Sequence, residues 1–292
     1  VLDAFPLQLR ICPKCGLGQV GEYVLPDRIF HENYPYLSSA STSWLKHANS
    51  FCIQTHKDLH LDHTSLVVEL ASNDGYLLSG YQQLGVKVLG VEPAQNVASM
   101  AVAKGVQTIV KFFGNHLASE IVSNFGHPRL IVANNVYAHI PDMMDFTAGL
   151  ATLADDSTLI SIENPSFLVL LENNLFDTIY HEHYSYLSAN SVSQIAQLHG
   201  LTLFNIDVLP THGGSYRYWL SKTRAPYPIV EHLIQDEADK GLFSSNLWSK
   251  FSSNAGKSIE IFRNWIIERD KRGDVVVGYG AAHKGNTFLN AV

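Results

Sequence analysis

Apolar positions along this chain switch period repeatedly, from alternate residues to helical spacing and back. The stretch Leu66 to Pro93 sets the frame. Leu66, Val67, Val68 and Leu70 make one apolar run, Tyr76, Leu77, Leu78, Tyr81 and Leu84 recur at helical spacing, and Val86, Val88, Leu89 and Val91 make a second run. Two short β-branched runs flanking one amphipathic helix predict a βαβ unit with parallel strands and a right-handed crossover. The alternation continues, predicting helices over 94–104, 114–124 and 142–153 and strands over 106–111, 129–134 and 158–163. Together these elements predict an α/β fold with a doubly wound parallel sheet.

Outside that frame the pattern is less regular. Residues 1–30 read as short strands and turns, and Ser41 to Ser43 offer N-caps for a helix running to about residue 60. Downstream, the pattern predicts a helix over 190–199, strands over 201–209 and 214–221, and one or two long helices over 228–272. The run DVVVGYGAAHKGNTFLNAV then reads as another strand, glycine turn and helix start. A βα unit with no returning strand leaves its sheet unfinished, and Val1 stands where an initiator Met would. Both ends are therefore expected to be cut, with a further α/β domain beyond. The expected divisions are a knuckle region with a lead-in helix over 1–60, a ligand-binding domain over 61–222, and a helical connector leading to that further domain over 223–292.

Composition narrows the class. The 292 residues suit about two domains. A 46% hydrophobic content, 16% charged residues and a net charge of -7 describe an enzyme-like chain with no basic surface for nucleic acid. No apolar run approaches membrane-spanning length, and the N-terminus lacks a signal-peptide layout. Three cysteines cannot build a disulfide framework, which favours a reducing cytoplasm.

The candidate chemistry gathers where the predicted strands end, since ligands of open α/β sheets sit beyond the carboxyl ends of the strands. Ser72 to Gly75 follow the first strand of the βαβ unit, and Glu92 follows the second. Gly75 lets the backbone approach a ligand. Glu92 lies near the position, about twenty residues past the turn, where a carboxylate takes ribose hydroxyls. No G-x-G-x-x-G is present, so a pyrophosphate cradle and a dehydrogenase are disfavoured. An adenosine ligand without a pyrophosphate fits better, an ordinary βα turn being the alternative.

Other clusters add to this. Asn134 and Asn135 end the fourth strand and face the same crevice, with His139 one helical turn on. Phe112 and Phe113 either flank an adenine ring or pack in the core. Tyr34-Pro35-Tyr36 is a rigid aromatic loop that lines a pocket or a domain seam. The segment Tyr180-His181-Glu182-His183-Tyr184 carries proton-transfer groups. If extended, Tyr180 and Glu182 share a face; in a helical turn, Tyr180 and His183 converge. H-E-x-x-H is absent, so a helix-borne zinc protease site is not supported, and with 14 histidines in the chain a chance cluster stays open. Arg217, just past Gly213-Gly214, either forks onto a phosphate or carboxylate or lies on the surface. Gly278 to Ala282 with Tyr279 and Lys284 suggest a phosphate-handling turn. Cys12-Pro13-Lys14-Cys15-Gly16 has the form of a zinc knuckle but supplies only half of a tetrahedral site, a surface thiol pair or redox pair being the alternatives.

In sequence terms, VVELASNDGYLL followed by GVEP resembles motifs I and II of class I S-adenosylmethionine (SAM) methyltransferases. With CPKCG, FHENYPYLSS, FFG, NNVYAHIP, YHEHYSYLS, HGGSYR and VGYGAAHKG in the same order, nearly the whole chain resembles the sugar C-methyltransferase family. The resemblance implies methyl transfer from SAM to C3 of a nucleotide-linked 4-keto-6-deoxy sugar. It also implies an N-terminal zinc-binding domain at Cys12 and Cys15, although no upstream cysteine pair is present, a central SAM domain, and a C-terminal α/β domain that helps hold the nucleotide sugar. In this reading His183 is the general base, Glu182 orients an imidazole, and Tyr180, Tyr34 and His139 donate hydrogen bonds to an enolate. Asn135 fixes the pocket wall. Ser72 and Gly75 sit near the methionine and ribose, Glu92 on the ribose and Phe112 or Phe113 near adenine, with Glu69, Asp74, Pro93 and Asn134 completing the cofactor set. Tyr36, Arg217, Tyr279 and Lys284 face the sugar nucleotide. Rival expectations are an O- or N-methyltransferase of the same fold and a non-catalytic SAM- or zinc-binding module. A monomer is compatible with all of them.

Overall fold

The structure, a computed structural model, describes residues 5–280 and 283–292. Its centre is a seven-stranded sheet in the order β5-β4-β3-β6-β7-β10-β9. The parallel part comprises β3 (Leu66–Leu70), β4 (Lys87–Val91), β5 (Thr108–Ile109), β6 (Leu130–Asn134) and β7 (Leu159–Pro165). β10 (Ser215–Ser221) runs antiparallel to β7, and β9 (Thr202–Leu209) antiparallel to β10. The expected alternation is present throughout, with β5 reduced to two residues.

Helices cover both faces, which is why the parallel strands read as continuous apolar runs. On one face lie α5 (Asn115–Phe125), α6 (Met143–Leu153), α8 (Ala189–Leu198) and α9 (Pro228–Asp239), packed on Val68, Leu89, Ile131, Ile160 and Tyr218. On the other lie α2 (Thr42–Asp58), α3 (Leu78–Gln83) and part of α4 (Gln95–Ala103), packed on Val67, Leu130 and Val132. Ser41 caps α2 by accepting from the Trp44 N–H. Cys52, on α2, is buried in this second layer. Each fully buried Val or Leu contributes about 1.5–3 kcal/mol, so the two apolar layers are what fix the heights of the strand tips.

A smaller antiparallel sheet stands at the tip side. β1 (Leu9–Ile11) pairs with β2 (Gly18–Val20), and β2 pairs with β8 (Ser185–Tyr186). The C-x-x-C hairpin between β1 and β2 thus leans on the segment that follows Tyr184: Ser188 Oγ and Asn190 Nδ2 both donate to the Cys15 carbonyl. Two short helices, α1 (Pro26–Ile29) and α7 (Phe167–Glu172), complete this end.

After β10 come α9, the long α10 (Ser245–Lys271) and α11 (His283–Ala291). The strand expected at 275–277 does not form. Val275 and Val277 are exposed and unpaired with any described strand, and an extended run without a neighbour leaves its ladder hydrogen bonds unmade. Ala281 and Ala282 of the expected glycine turn lie outside the described residues. No described helix is long and apolar enough to cross a membrane.

Candidate active site

The tips of β3 and β4 are built with unusual backbone. Ala71 (φ 53°), Asn73 (φ 49°) and Gly75 (φ 74°) are all left-handed, a conformation that costs an L-residue about 1–2 kcal/mol. The reward is a clamp around Glu92. The Asn73 N–H donates to Glu92 Oε2 at 3.0 Å and the Ala94 N–H to Oε1 at 2.8 Å. Burial pushes the Glu92 carboxyl up, while these two donors work against that shift. Asn73 also ties the aromatic loop to the tip, its Oδ1 accepting from the Ser38 N–H and its Nδ2 donating to the Tyr36 carbonyl. Asn96 Nδ2 holds the Tyr34 carbonyl in the same way.

Above these tips opens a hollow of about 820 Å³. Glu92, Pro93, Phe112, Phe113 and Asn134 line one end of it. Phe113 packs edge-on against Phe146, and Phe112 is half exposed. Four residues expected in the cofactor set lie behind this wall instead. Ser72 is fully buried beneath it, with its N–H on the Val91 carbonyl. Asp74 is buried in an ion pair with Lys104 at 2.8 Å. Glu69 is buried against Tyr76, and burial pushes its carboxyl well above the usual range. Gly75 turns the chain into α3 with no room for a side chain: a Cβ there would meet Ala101 and Val106 at 3.1 Å. Their part is to shape the tip, while Asn73, which lies between two of them, reaches the hollow together with Ala71 and Tyr76.

The other end of the hollow is lined by Tyr34, Tyr36, His139, Tyr180, Glu182 and His183. The 180–184 segment is a turn, closed by the His183 N–H on the Tyr180 carbonyl, so Tyr180 and His183 converge. Their side chains meet at 3.1 Å between the Tyr180 hydroxyl and His183 Nε2. His183 Nδ1 lies 3.2 Å from the Thr178 carbonyl. A carbonyl only accepts, so Nδ1 carries the proton and Nε2 is the basic nitrogen. Burial, with His139 and then Lys284 nearby, holds the imidazole well below its usual pKa and keeps it neutral. His139 is fixed by the same logic: its Nδ1 donates to the Glu182 carbonyl at 2.8 Å, and its ring stands edge-on to His183 at 4.7 Å. Glu182 thus orients the neighbouring histidine through its main chain. The orientation of His183 comes from Thr178 and Tyr180. Burial, followed by Glu182, pushes the phenols of Tyr34 and Tyr180 up, so both stay protonated donors.

Between the two ends stand Asn135, Asn164 and His212. Asn135 is left-handed (φ 53°), its N–H bonded to the Glu163 carbonyl at 2.6 Å, and its Nδ2 is 3.5 Å from His212 Nε2. His212 and Asn164 were not anticipated; His212 was visible in THGGSYR, where the glycines and Arg217 drew the reading. Lys284 lines the hollow, whereas Tyr279 is fully exposed elsewhere. Arg217 also lies elsewhere. It pairs with Glu163, which also takes His47 at 2.9 Å and Thr211 at 3.1 Å. Burial raises the Glu163 carboxyl, but His47 and Arg217 outweigh it and hold the group below its usual value. Alternation along β10 sends Arg217 to the α2 side of the sheet, where it lines a separate hollow of about 620 Å³.

At the hairpin, backbone N–H groups of Cys15 and Lys14 lower the Cys12 thiol, and burial raises that of Cys15. Two thiols are half of a tetrahedral zinc site, and no group of three or more metal-ligating side chains stands together among the described residues. The described residues do not by themselves fit a closed zinc centre.

A parallel sheet whose strand tips clamp a carboxylate beside an apolar slot is the plan of a class I methyltransferase, and the comparisons agree. A methyltransferase domain matches residues 44–205, and a C-methyltransferase C-terminal domain matches residues 210–292. The chain is a SAM-dependent methyltransferase. The C-methyltransferase NovU of Streptomyces niveus is 32% identical over 290 residues, covering 98% of this chain and 69% of NovU. The chain belongs to this C-methyltransferase family. Among solved structures, the SAM-bound magnesium protoporphyrin IX methyltransferase of Synechocystis has a TM-score of 0.47 at 14% identity, covering 68% of this chain and 89% of that one. A SAM-dependent methyltransferase of Anabaena variabilis has a TM-score of 0.47 at 12% identity, covering 59% and 84%.

Proposed function

We propose that this chain methylates C3 of a nucleotide-linked 4-keto-6-deoxy sugar. The observation that carries the reading is the neutral His183, with Nε2 as its basic nitrogen, in the hollow that Glu92 closes at its far end. SAM supplies an electrophilic methyl group on a sulfonium when bound. Glu92 accepts from the ribose hydroxyls, Phe112 and Phe113 flank the adenine, and Asn73, Pro93 and Asn134 border the remainder.

The chain's own chemistry concerns the acceptor. A ketone at C4 acidifies the hydrogens on the carbons beside it, C3 among them. His183 Nε2 takes the C3 proton, and the Thr178 carbonyl steadies the imidazolium through Nδ1. Negative charge moves to the C4 oxygen, where the protonated Tyr34 phenol donates a hydrogen bond, joined by Tyr180 once the protonated Nε2 no longer accepts from its hydroxyl; His139, whose proton sits on Nδ1, shapes the wall. The carbanion at C3 would then be the nucleophile for the methyl group that bound SAM would supply, sulfur taking the electron pair of the broken carbon–sulfur bond. Asn135 and Lys284 border the acceptor, with Lys284 towards the diphosphate. Cys12 and Cys15 hold a structural zinc together with two ligands from outside the described residues, stiffening the hairpin that backs the 180–184 turn; metal analysis of the full-length protein tests this.

Incubating full-length protein with SAM and a panel of nucleotide-linked 4-keto-6-deoxyhexoses is the functional test. The expected product carries a new carbon–carbon bond at C3 by NMR. A methyl group on oxygen or nitrogen, or no product with any keto sugar, overturns the proposal.

A further inference from the structure

Asn164 occupies the tip of β7, where it lines the reaction hollow yet is only 1% exposed. Both atoms of its side-chain amide, Oδ1 and Nδ2, are buried without a hydrogen-bond partner. A buried amide with neither donor nor acceptor satisfied is expensive, and most such groups in folded proteins find partners. The surroundings are not short of polar groups. The Asn135 N–H bridges to Glu163, Ser166 N–H to Gly214, and Tyr216 sits opposite Asn164 in the β7–β10 ladder. The backbone at this tip is satisfied while the amide is left bare, next to Asn134, whose Oδ1 is likewise without a partner.

Position says which ligand the amide awaits. Glu92 follows β4, and in the order β4-β3-β6-β7 Asn164 stands three strands away, roughly 14 Å at about 4.8 Å per strand. A cofactor whose ribose rests on Glu92 extends its methionine over the intervening tips of β3 and β6. The tip of β7 falls beyond it, on the side of His183 and His212. The amide offers one acceptor and one two-hydrogen donor side by side, which suits a group that both gives and takes a hydrogen bond. A sugar hydroxyl is such a group; a phosphate or carboxylate is not.

We infer that Asn164 is an acceptor-binding residue that grips a hydroxyl of the sugar ring and sets which ring carbon faces His183. The inference rests on the keto-sugar reading above and names a contact within it. Asn135 and His212, which meet at 3.5 Å, form the wall against which that hydroxyl is held.

The experiment compares full-length wild type with Asn164→Ala and the near-isosteric Asn164→Leu. Calorimetry measures S-adenosylhomocysteine binding, then binding of a thymidine, uridine or guanosine diphosphate-linked 4-keto-6-deoxyglucose to the loaded protein. The melting temperature of the unliganded variants is read alongside. Wild type binds at least one of the three sugars. In both variants that sugar binds about tenfold or more weaker, as expected for losing two neutral hydrogen bonds, while cofactor affinity stays within about twofold. The Asn164→Leu protein melts no lower than wild type, because a merely structural amide would be missed on its removal and an unsatisfied one would not. Weakened cofactor binding, or a melting temperature several degrees down in the leucine variant, overturns the assignment. Unchanged sugar affinity overturns it too, while leaving the keto-sugar reading intact. If wild type binds none of the three sugars, the reading itself fails and the hydroxyl contact with it.

Discussion

The two ends of the reaction hollow are built differently. At the Glu92 end every contact comes from strand tips of one sheet or from residues within a turn of them: Asn73 clamps Glu92, and Pro93, Phe112 and Phe113 continue from it. At the His183 end the wall is assembled from Tyr34, His139, His183 and His212, each on a different connecting segment, and from Lys284 at the start of α11. The first end is held by backbone hydrogen bonds at the strand tips, which suits the constant cofactor of the proposed reaction. The second is made of loops pinned to one another, by the Tyr34 and Tyr36 carbonyls on Asn96 and Asn73, by His139 on the Glu182 carbonyl, and by β2 on β8. Acceptor chemistry can change there without disturbing the seat.

Breaking the acceptor end should have the largest effect. On the proposed mechanism, replacing His183 by Ala removes the general base, and turnover falls about 10²- to 10⁴-fold with SAM affinity unchanged. The same residue fixes a pH limb. The base works when neutral, and burial lowers its pKa, so turnover falls on acidification only through a value below about 6.5 and is flat above it. An acidic limb well above 6.5 would mean that another group titrates.

Breaking the cofactor end should be milder and of another kind. On the proposed cofactor seat, Glu92→Ala removes the acceptor of the ribose hydroxyls, weakening SAM by roughly 10- to 100-fold in calorimetry, while turnover at saturating SAM changes less. Gly75→Ala probes the strain beneath that seat. A Cβ at φ 74°, pressed on Ala101 and Val106, costs about 2 kcal/mol, and the melting temperature falls by several degrees. If Gly75→Ala melts like wild type, the tip of β3 is softer than its contacts imply.

The same contrast governs what could be read beforehand. Strands and helices around the sheet followed from hydrophobic period, because burial on two faces writes itself into every second or third residue. The place of Glu92 at the hollow was legible as well, from one βαβ unit and at a spacing that topology explains, whereas Gly75 lies behind the wall. Which tip residues look inward was not: Ser72 and Asp74 turned out to support the wall, and Asn73 between them to line it, because three left-handed residues break the simple alternation. At the acceptor end, Tyr180 and His183 were read as alternatives of turn and strand, and only the hydrogen bond closing the turn decides. Arg217 illustrates the limit. Its neighbouring glycines suggested a phosphate fork, but a one-residue change of parity on β10 sends it through the sheet to Glu163. Asn164 had no signal at all, since an unsatisfied amide exists only in three dimensions.

The central claim is that His183 turns a carbon beside a ketone into a nucleophile, and hydrogen exchange reads that step without methyl transfer. Full-length protein is incubated in deuterated water with a nucleotide-linked 4-keto-6-deoxyhexose and no SAM, and deuterium at each ring carbon is followed by NMR. The account predicts enzyme-dependent deuterium at C3 that disappears in His183→Ala. Exchange that persists unchanged in that variant, or that is confined to the other carbon beside the ketone, would contradict it.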